Sequence, residues 1–182
     1  IKFVDRTFNY HEDRAVEILN FFLDQWREGL QVHFEIVPDR LSPRIMERMA
    51  QFPSGGLRLE AGVQSLNQAS LDAIRRSQDS ALALENIRWL CRHTGAIVHA
   101  DLVAGLPNET WRSFRDGFDQ LLAIGPSEIQ LGILKRLRGS PITLIAEAHG
   151  LVFSPHPPYE VLQTPEMNFT EIQRLKRIAR YF

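Results

Sequence analysis

The sequence predicts an α/β fold with parallel strands, arranged as a partial TIM-like (β/α) barrel. Strand-like and helical patterns alternate along the 182 residues with a period of roughly 25 to 40 residues, as in successive strand–helix units. The hydrophobic fraction of 44% is enough to build a substantial core. No G-x-G-x-x-G turn follows the first strand-like run, which argues against a dinucleotide-binding Rossmann sheet.

Runs rich in branched aliphatic residues and bounded by turn residues are the predicted strands. They are Ile1–Asp5, Val32–Val37, Leu57–Val63, Ile97–Val103 and Glu128–Leu134. The first run begins without an initiating Met or a cap, so we expect an excised domain of a larger fold.

Amphipathic helical patterns fill the gaps between these runs. The pattern over residues 11–29 stops at Gly29, and the next begins with Ser42 as N-cap and Pro43 at the first helical position. A third pattern covers residues 80–95, and Thr110 is predicted to cap a fourth. After Gly150 come the proline-rich "SPHPPYEVLQTP" and the helical "NFTEIQRLKRIARYF". We therefore predict a partial barrel over residues 1–150 and the start of a C-terminal extension over residues 151–182.

Composition excludes several classes of function. The net charge is −1 and neither sign forms a long run, so we expect no nucleic acid and no membrane as partner. No apolar stretch is long enough to span a bilayer and no signal sequence is visible, which predicts a cytoplasmic protein. Cys91 is the only cysteine and the six histidines lack ligand spacing, so no metal site is predicted within the chain. Cys91 lies on an apolar stripe and is predicted to be a core residue.

Polar side chains occupy every second position of the predicted strands. They are His33, Glu35, Arg58, Glu60, His99, Asp101 and Gln130. A period of two places each set on one face, which would be the barrel interior if the apolar face packs under the helices. Because unpaired buried charges are costly, this interior must be wet, internally paired or occupied by a polar ligand. Pairing of Arg58 with Glu60 or with Glu35 is one alternative.

The carboxyl ends of barrel strands carry active sites, and polar residues stand there in this sequence. They are Asp5, Glu35, Gln64 and Asp101. In "HADLVAGLPNET", Asp101 is predicted to bind a ligand, while Gly105 and Pro107 form a tight turn beside it. The alternative is structural: Asp101 caps a loop or pairs with His99.

Motifs in a fixed order resemble the radical S-adenosylmethionine (SAM) enzymes. They are "FVDRTFN", "FEIVPD", "EAGVQSLNQASLDAIRR", "HADLVAGLPNET" and "EIQLGILKRLRGSPI", which together span residues 1–142. The resemblance is greatest to oxygen-independent coproporphyrinogen oxidase and to the cobalamin-binding branch, which includes the anaerobic Mg-protoporphyrin IX monomethyl ester oxidative cyclase. It implies that the chain starts at the second barrel strand and is truncated before the first.

The resemblance also implies cofactor-binding residues. Glu35 and Arg76 would hold the methionyl amino and carboxylate groups of SAM, and Gln64 and Asp101 would lie near its ribose hydroxyls. Asp5 would contact adenine, cofactor or substrate. A carboxylate accepts from an ammonium group or from hydroxyls, and a guanidinium group clamps a carboxylate with two hydrogen bonds.

Two of these assignments leave alternatives open, and no catalytic residue is assigned. Spacing from "GVQS" favours Arg76 over Arg75 as the clamp. Asn9, like Asp5, is a candidate for contact with adenine, cofactor or substrate.

For the full-length enzyme, the resemblance implies reductive cleavage of SAM to a 5′-deoxyadenosyl radical, used for methyl transfer or oxidative cyclisation of a small-molecule substrate. An electron donor such as flavodoxin or ferredoxin would be the partner. The three-cysteine loop that holds the 4Fe-4S cluster in the family lies outside this chain, so the fragment alone is expected to be inactive. Cobalamin, held by an upstream domain, is a further candidate cofactor.

Two other functions fit the polar interior. The first is an iron-free TIM-barrel lyase working by acid–base chemistry with Glu35, Glu60 and Asp101. The second is a non-catalytic module that binds a nucleotide-like ligand. A truncated barrel also exposes an apolar sheet edge, which predicts an edge-mediated dimer of the fragment.

Overall fold

The chain is an α/β protein with a four-stranded parallel sheet. A computed structural model describes residues 1–5 and 7–181; Arg6 of the "FVDRTFN" motif and Phe182 at the end of the last helical pattern lie outside the described residues. The strands stand side by side in chain order: β1 Val32–Ile36, β2 Leu57–Gln64, β3 Ile97–Ala104 and β4 Glu128–Ile133. The parallel strands confirm the predicted fold class.

Helices lie between the strands, largely where the periodicity predicts them. They are α1 Glu12–Asp24, α2 Pro43–Met49, α3 Gln68–Ala73, α4 Ser80–His93, α5 Trp111–Ile124, α6 Ile142–Ile145 and α7 Phe169–Ile178. The Ser42 hydroxyl accepts from Ile45 N at 3.4 Å, and Thr110 Oγ1 accepts from Ser113 N at 3.0 Å, which confirms both predicted caps. The short helix α3 was not predicted, because its six residues give too little periodicity to read.

The predicted strand Ile1–Asp5 is wrong in extent. Only one isolated parallel bridge forms, between Lys2 and His33, with hydrogen bonds from Phe3 N to His33 O and from His33 N to Ile1 O. At Asp5 the carboxylate accepts from Thr7 N at 3.4 Å, and Phe3, Val4 and Asp5 are not part of a strand.

The first helix also ends earlier than predicted. The helix stops at Asp24, and Trp26 N bonds to Leu23 O in a tightened last turn. Gly29, with φ of +82°, belongs to a separate turn in which Leu30 N bonds to Arg27 O. The glycine therefore marks a loop and not the end of the helix.

The contacts divide the chain into two compact units, each described by itself. The first unit contains residues 1–63, 79–101 and 121–129. Its core is rich in aromatic rings: fully buried Phe34 stacks on Phe8 with ring centroids 3.8 Å apart, and Phe3 lies 4.8 Å from Phe34 and 5.8 Å from Phe22. Such pairs add to the energy of apolar burial.

The second unit contains residues 64–78, 102–120 and those from 130 onward. This unit contains an antiparallel pair of strands, β5 Val152–Phe153 and β6 Val161–Gln163. Val161 N donates to Leu134 O at 2.8 Å, so β6 is hydrogen-bonded to the segment that follows β4. The C-terminal helical pattern is present as α7, which begins with a capping box formed by Asn168 and Glu171. The domain boundary near residue 150 stays a prediction.

Gly105 is a point of close approach inside the second unit. It has φ of +86°, and a Cβ atom built there would lie 2.4 Å from Val161 Cγ1. Glycine is therefore required at position 105 for two reasons: its backbone is left-handed, and Val161 of β6 leaves no room for a Cβ atom.

Gly105→Ala is expected to lower the free energy of unfolding by about 2–4 kcal/mol, the sum of left-handed backbone strain and overpacking against Val161. Gly139→Ala is the matched control, because Gly139 has φ of +79° but nothing within 4 Å of the added methyl group. It should cost only about 1 kcal/mol. Urea denaturation midpoints measure both changes. Equal losses at the two sites would show that the contact with Val161 contributes nothing.

Candidate functional site

Charged and apolar side chains alternate along the first strands, as the sequence predicts. In β1 and β2 the apolar residues are buried, whereas His33, Glu35, Arg58 and Glu60 are half-buried. Glu35 and Glu60 are directly opposite each other in the register. One face of these strands therefore carries a set of charges that need partners.

Lys2 lies between the two opposed glutamates. Its Nζ atom is 3.5 Å from Glu60 Oε2 and 4.0 Å from Glu35 Oε1. Glu60 also contacts His33 Nε2 at 3.1 Å. Burial, helped by the charge of Lys2, lowers the pKa of His33 despite the nearby carboxylate of Glu60. Glu60 thus has two partners, while Glu35 has only one distant cation among the described residues.

Internal pairing, which the sequence left open as an alternative, does occur on this face, but Arg58 pairs with neither Glu60 nor Glu35. Its Nη2 atom lies 3.3 Å from Glu128 Oε2. Glu128 is the first residue of β4. Alternation along a strand does not reveal that the partner of Arg58 lies on β4 and not on β1 or β2.

His99 is also a partner of Glu128, and not of Asp101. Its Nε2 atom contacts Glu128 Oε2 and the Arg58 guanidinium group. The imidazole is 6% exposed, and this burial is the largest cause of its lowered pKa. The structural alternative in which Asp101 pairs with His99 is therefore wrong.

Asp101 stands out among the charged residues on the strands of the first unit. Its Oδ1 atom is buried and has no hydrogen-bond partner among residues 1–5 and 7–181. The pKa of Asp101 is raised to about 7, chiefly by burial and in addition by the carboxylates of Glu60, Glu35 and Glu128, against a smaller opposing effect of Lys2. A buried oxygen without a partner is rare in a folded protein and marks a candidate ligand contact.

In the second unit, Gln64 lines an apolar cavity. It adopts φ of +67°, a left-handed conformation that is uncommon for a residue with a side chain. The cavity has a volume of about 300 Å³, and its lining includes Gln64, Val103, Leu106, Ile142 and Ile145. A cavity with mostly apolar walls and a few polar groups, here Gln64, Arg75 and Ser140, suits a flat apolar group with a polar rim.

The two adjacent arginines have different surroundings. Arg75 is exposed, has φ of +55° and lines the apolar cavity. Arg76 is half-buried, and its Nε atom donates to Gln78 Oε1 at 3.0 Å. Both border a second, polar cavity of about 390 Å³. Sequence reasoning missed Gln78, because a glutamine in a loop gives no signal of burial; it is 6% exposed.

Asp5 and Asn9 differ in availability. Asp5 is exposed and lines a cavity of about 300 Å³ together with Tyr10 and Arg14. Asn9 is 4% exposed, and its amide donates to Val37 O at 2.8 Å and accepts from Val37 N at 2.9 Å. Asn9 therefore holds the backbone at Val37 with both ends of its amide, whereas the role of Asp5 stays a prediction.

The predicted site residues thus fall into two groups. Glu35 and Asp101 lie in the first unit, close enough for their charges to interact, and Gln64 and Arg76 lie in the second. Cys91 is only half-buried, contrary to the prediction of a core residue, and burial raises the pKa of its thiol.

No group of three or more potential metal-binding side chains is found among the described residues. The whole chain has one cysteine, so it cannot supply the thiolates of a 4Fe-4S cluster. No helix in the described part of the chain is both long and apolar enough to cross a membrane.

Solved structures of radical SAM enzymes are similar to this chain in fold. The methyltransferase TsrM from Kitasatospora setae, with tryptophan and a SAM analogue bound, has a TM-score of 0.69 at 15% identity over 94% of this chain and 35% of that chain. Coproporphyrinogen III oxidase, HemN, from Escherichia coli has a TM-score of 0.66 at 17% identity over 96% of this chain and 38% of that one. Elp3 from Methanocaldococcus infernus has a TM-score of 0.60 at 17% identity, covering 81% and 39%.

The likeness to these structures concerns the fold, and the chain spans 35% to 39% of their lengths. A family model described as a protein of unknown function, DUF4080, matches residues 147–181. A comparison with curated proteins finds no match.

Asp101→Asn is expected to stabilise the protein at pH 8 and to leave its stability unchanged near pH 4. The folded pKa of Asp101 is raised from 3.8 to about 7, so the stability present below pH 3.8 is lost as the pH rises through 7. A pKa shift of this size corresponds to a change of about 4 kcal/mol in the free energy of unfolding. Because the carboxyl group is partly exposed, we expect a gain of roughly 1–2 kcal/mol at pH 8.

Urea denaturation at pH 4, 6 and 8 measures this change. Asp119→Asn, on the exposed side of α5, is the control and should shift the midpoint little at every pH. A midpoint for Asp101→Asn equal to that of the unsubstituted protein at pH 8 would contradict the raised pKa.

Proposed function

We propose that this chain forms the SAM-binding part of a radical SAM enzyme that acts on a small-molecule substrate. The observation that carries the proposal is the buried Oδ1 atom of Asp101, which has no hydrogen-bond partner in the part of the chain that the structure describes. The fold shared with TsrM and HemN supports it.

The residues present fit the polar parts of SAM. Asp101 needs hydrogen-bond donors at its buried oxygen, and the ribose of a nucleoside offers two hydroxyl groups. The apolar cavity beside Gln64 has the size and walls to receive the adenine ring. Glu35 has a carboxylate with one weak cationic contact, which leaves acceptor capacity for an ammonium group.

Arg76 completes this assignment with a guanidinium group for the methionyl carboxylate. When bound to a reduced cluster, SAM supplies a 5′-deoxyadenosyl radical. Each unit would contribute its own contacts to orient SAM. In the first unit, Asp101 would accept from the ribose hydroxyls and Glu35 from the ammonium group. In the second unit, Gln64 would lie near the ribose, the cavity would exclude water from the adenine, and Arg76 would hold the carboxylate.

The residues of this chain do not fit a 4Fe-4S cluster, so we place the cluster ligands outside residues 1–182. An electron donor such as flavodoxin or ferredoxin is part of the proposal, with methyl transfer or oxidative cyclisation as the reaction class. TsrM is described with cobalamin and a [4Fe-4S] cluster. Cobalamin is therefore a candidate second cofactor for the full-length protein.

A second candidate function is an iron-free lyase. Asp101, with its pKa near 7, is suited to exchange protons at neutral pH, and Glu35 and Glu60 lie close enough to affect its charge. This function requires turnover without iron, which separates it from the first proposal.

The first test is made on the full-length protein, purified and reconstituted without oxygen. We expect a 4Fe-4S signal in electron paramagnetic resonance of the reduced protein, and production of 5′-deoxyadenosine. Asp101→Ala and Arg76→Ala should lower that production by roughly tenfold or more, the effect of losing one charge-assisted hydrogen bond. An intact protein that binds no iron and produces no 5′-deoxyadenosine would contradict the proposal.

The affinity for S-adenosylhomocysteine, a stable analogue, is expected to rise about tenfold from pH 6 to pH 8. Below its pKa of about 7, Asp101 must release a proton before it can accept from both ribose hydroxyls. Isothermal titration calorimetry measures the change. Asp101→Asn should bind more weakly and lose the pH dependence, whereas Asp119→Asn should keep both. An affinity that falls between pH 6 and pH 8 would contradict the role of Asp101 as a charged acceptor.

A further inference from the structure

A buried hydrogen-bond network lies in the second unit, centred on Glu109 of "HADLVAGLPNET". Glu109 is 1% exposed and accepts from Ser65 Oγ at 2.7 Å and from Ser113 Oγ at 3.1 Å. Burial raises the pKa of Glu109, and the two hydroxyl donors oppose that shift. The network fixes Ser65, whose hydroxyl also accepts from Asn67 N at 3.0 Å.

The backbone of Ser65 in turn holds the side chain of Gln78. The carbonyl oxygen of Ser65 accepts from Gln78 Nε2 at 3.3 Å, and Gln78 Oε1 accepts from Arg76 Nε at 3.0 Å. Gln78 is buried, and its amide has a donor contact on one side and an acceptor contact on the other. Turning the amide over would place its NH₂ group against the Nε–H of Arg76, so only one orientation satisfies both contacts.

The contact at Nε constrains the plane of the Arg76 guanidinium group. A bidentate clamp on a carboxylate works only when the planar fork of the guanidinium faces the two oxygens. Because the Gln78 side chain is neutral, its contact orients the guanidinium group of Arg76 without adding a negative charge beside it. Ser65 also directly follows Gln64, so the same network fixes the backbone beside that residue.

We propose that Gln78 is a positioning residue that orients Arg76 for a ligand carboxylate, and that Glu109, acting through Ser65, keeps Gln78 in place. This inference rests on the proposed function, in which Arg76 binds the methionyl carboxylate of SAM. Gln78 acts through Arg76 and does not itself touch the ligand.

The test compares two probes on the reconstituted full-length protein by isothermal titration calorimetry. S-adenosylhomocysteine has the amino-acid carboxylate, and 5′-methylthioadenosine has the same nucleoside and sulfur without it. Gln78→Met keeps the volume but loses both hydrogen bonds. We expect it to weaken binding of S-adenosylhomocysteine about tenfold and to change that of 5′-methylthioadenosine by less than about twofold.

Two further variants complete the test. Gln78→His keeps a neutral acceptor and a donor, and should restore affinity for S-adenosylhomocysteine to within about threefold of the unsubstituted protein. Gln51→Met is the matched control, because Gln51 accepts from Arg48 Nη1 at 3.4 Å on an exposed surface. It should change neither affinity. If Gln78→Met does not fold, Gln78→Asn, which is one methylene shorter, replaces it with the same expectation.

Equal weakening of both probes by Gln78→Met would overturn the positioning role, since a general structural defect does not distinguish the carboxylate. Unchanged affinity for both probes would overturn it as well. In both cases the unsubstituted protein still binds S-adenosylhomocysteine and the proposed function stands. If the unsubstituted protein binds neither probe, that result would instead contradict the proposed function, and with it the inference about Gln78.

Discussion

The pairing of charges on one face of a parallel sheet is the constraint on which the first unit depends. Parallel register sets Glu35 directly beside Glu60, an arrangement that repels unless a cation stands between them. Lys2 supplies that cation from a chain segment that joins β1 by a single bridge. The short bridge therefore supplies a positive charge to this face in addition to its backbone hydrogen bonds to β1.

Farther along the sheet the same constraint is met differently. Arg58 and His99 share the carboxylate of Glu128, so one acidic residue serves two basic ones. Asp101 is left with carboxylates as its electrostatic surroundings and no donor for one oxygen among the described residues. Such a buried carboxylate oxygen is the kind of group to which a ligand can donate, which is the role proposed for Asp101.

The order of strands and helices could be predicted from sequence because burial imposes the period of two in strands and the longer period in helices. Partners could not be predicted in the same way. Alternation places Arg58 on the correct face, but the choice of Glu128 depends on where β4 lies in the sheet. Gln78 escaped notice for a similar reason, since its burial comes from the fold around a polar loop. Asp101, in contrast, could be recognised from the sequence as a candidate site residue, because a carboxylate within an apolar run is unusual in any fold.

The close approach of Val161 to Gly105 ties the chain beyond β4 to the turn that follows β3. Residues 147–181, which a family model matches as a unit, include Val161. That segment is thus not an independent module that evolution could exchange freely for another. Any replacement would have to present a side chain of similar shape to a glycine that has no room to adjust, so the two stretches are expected to change together over evolutionary time.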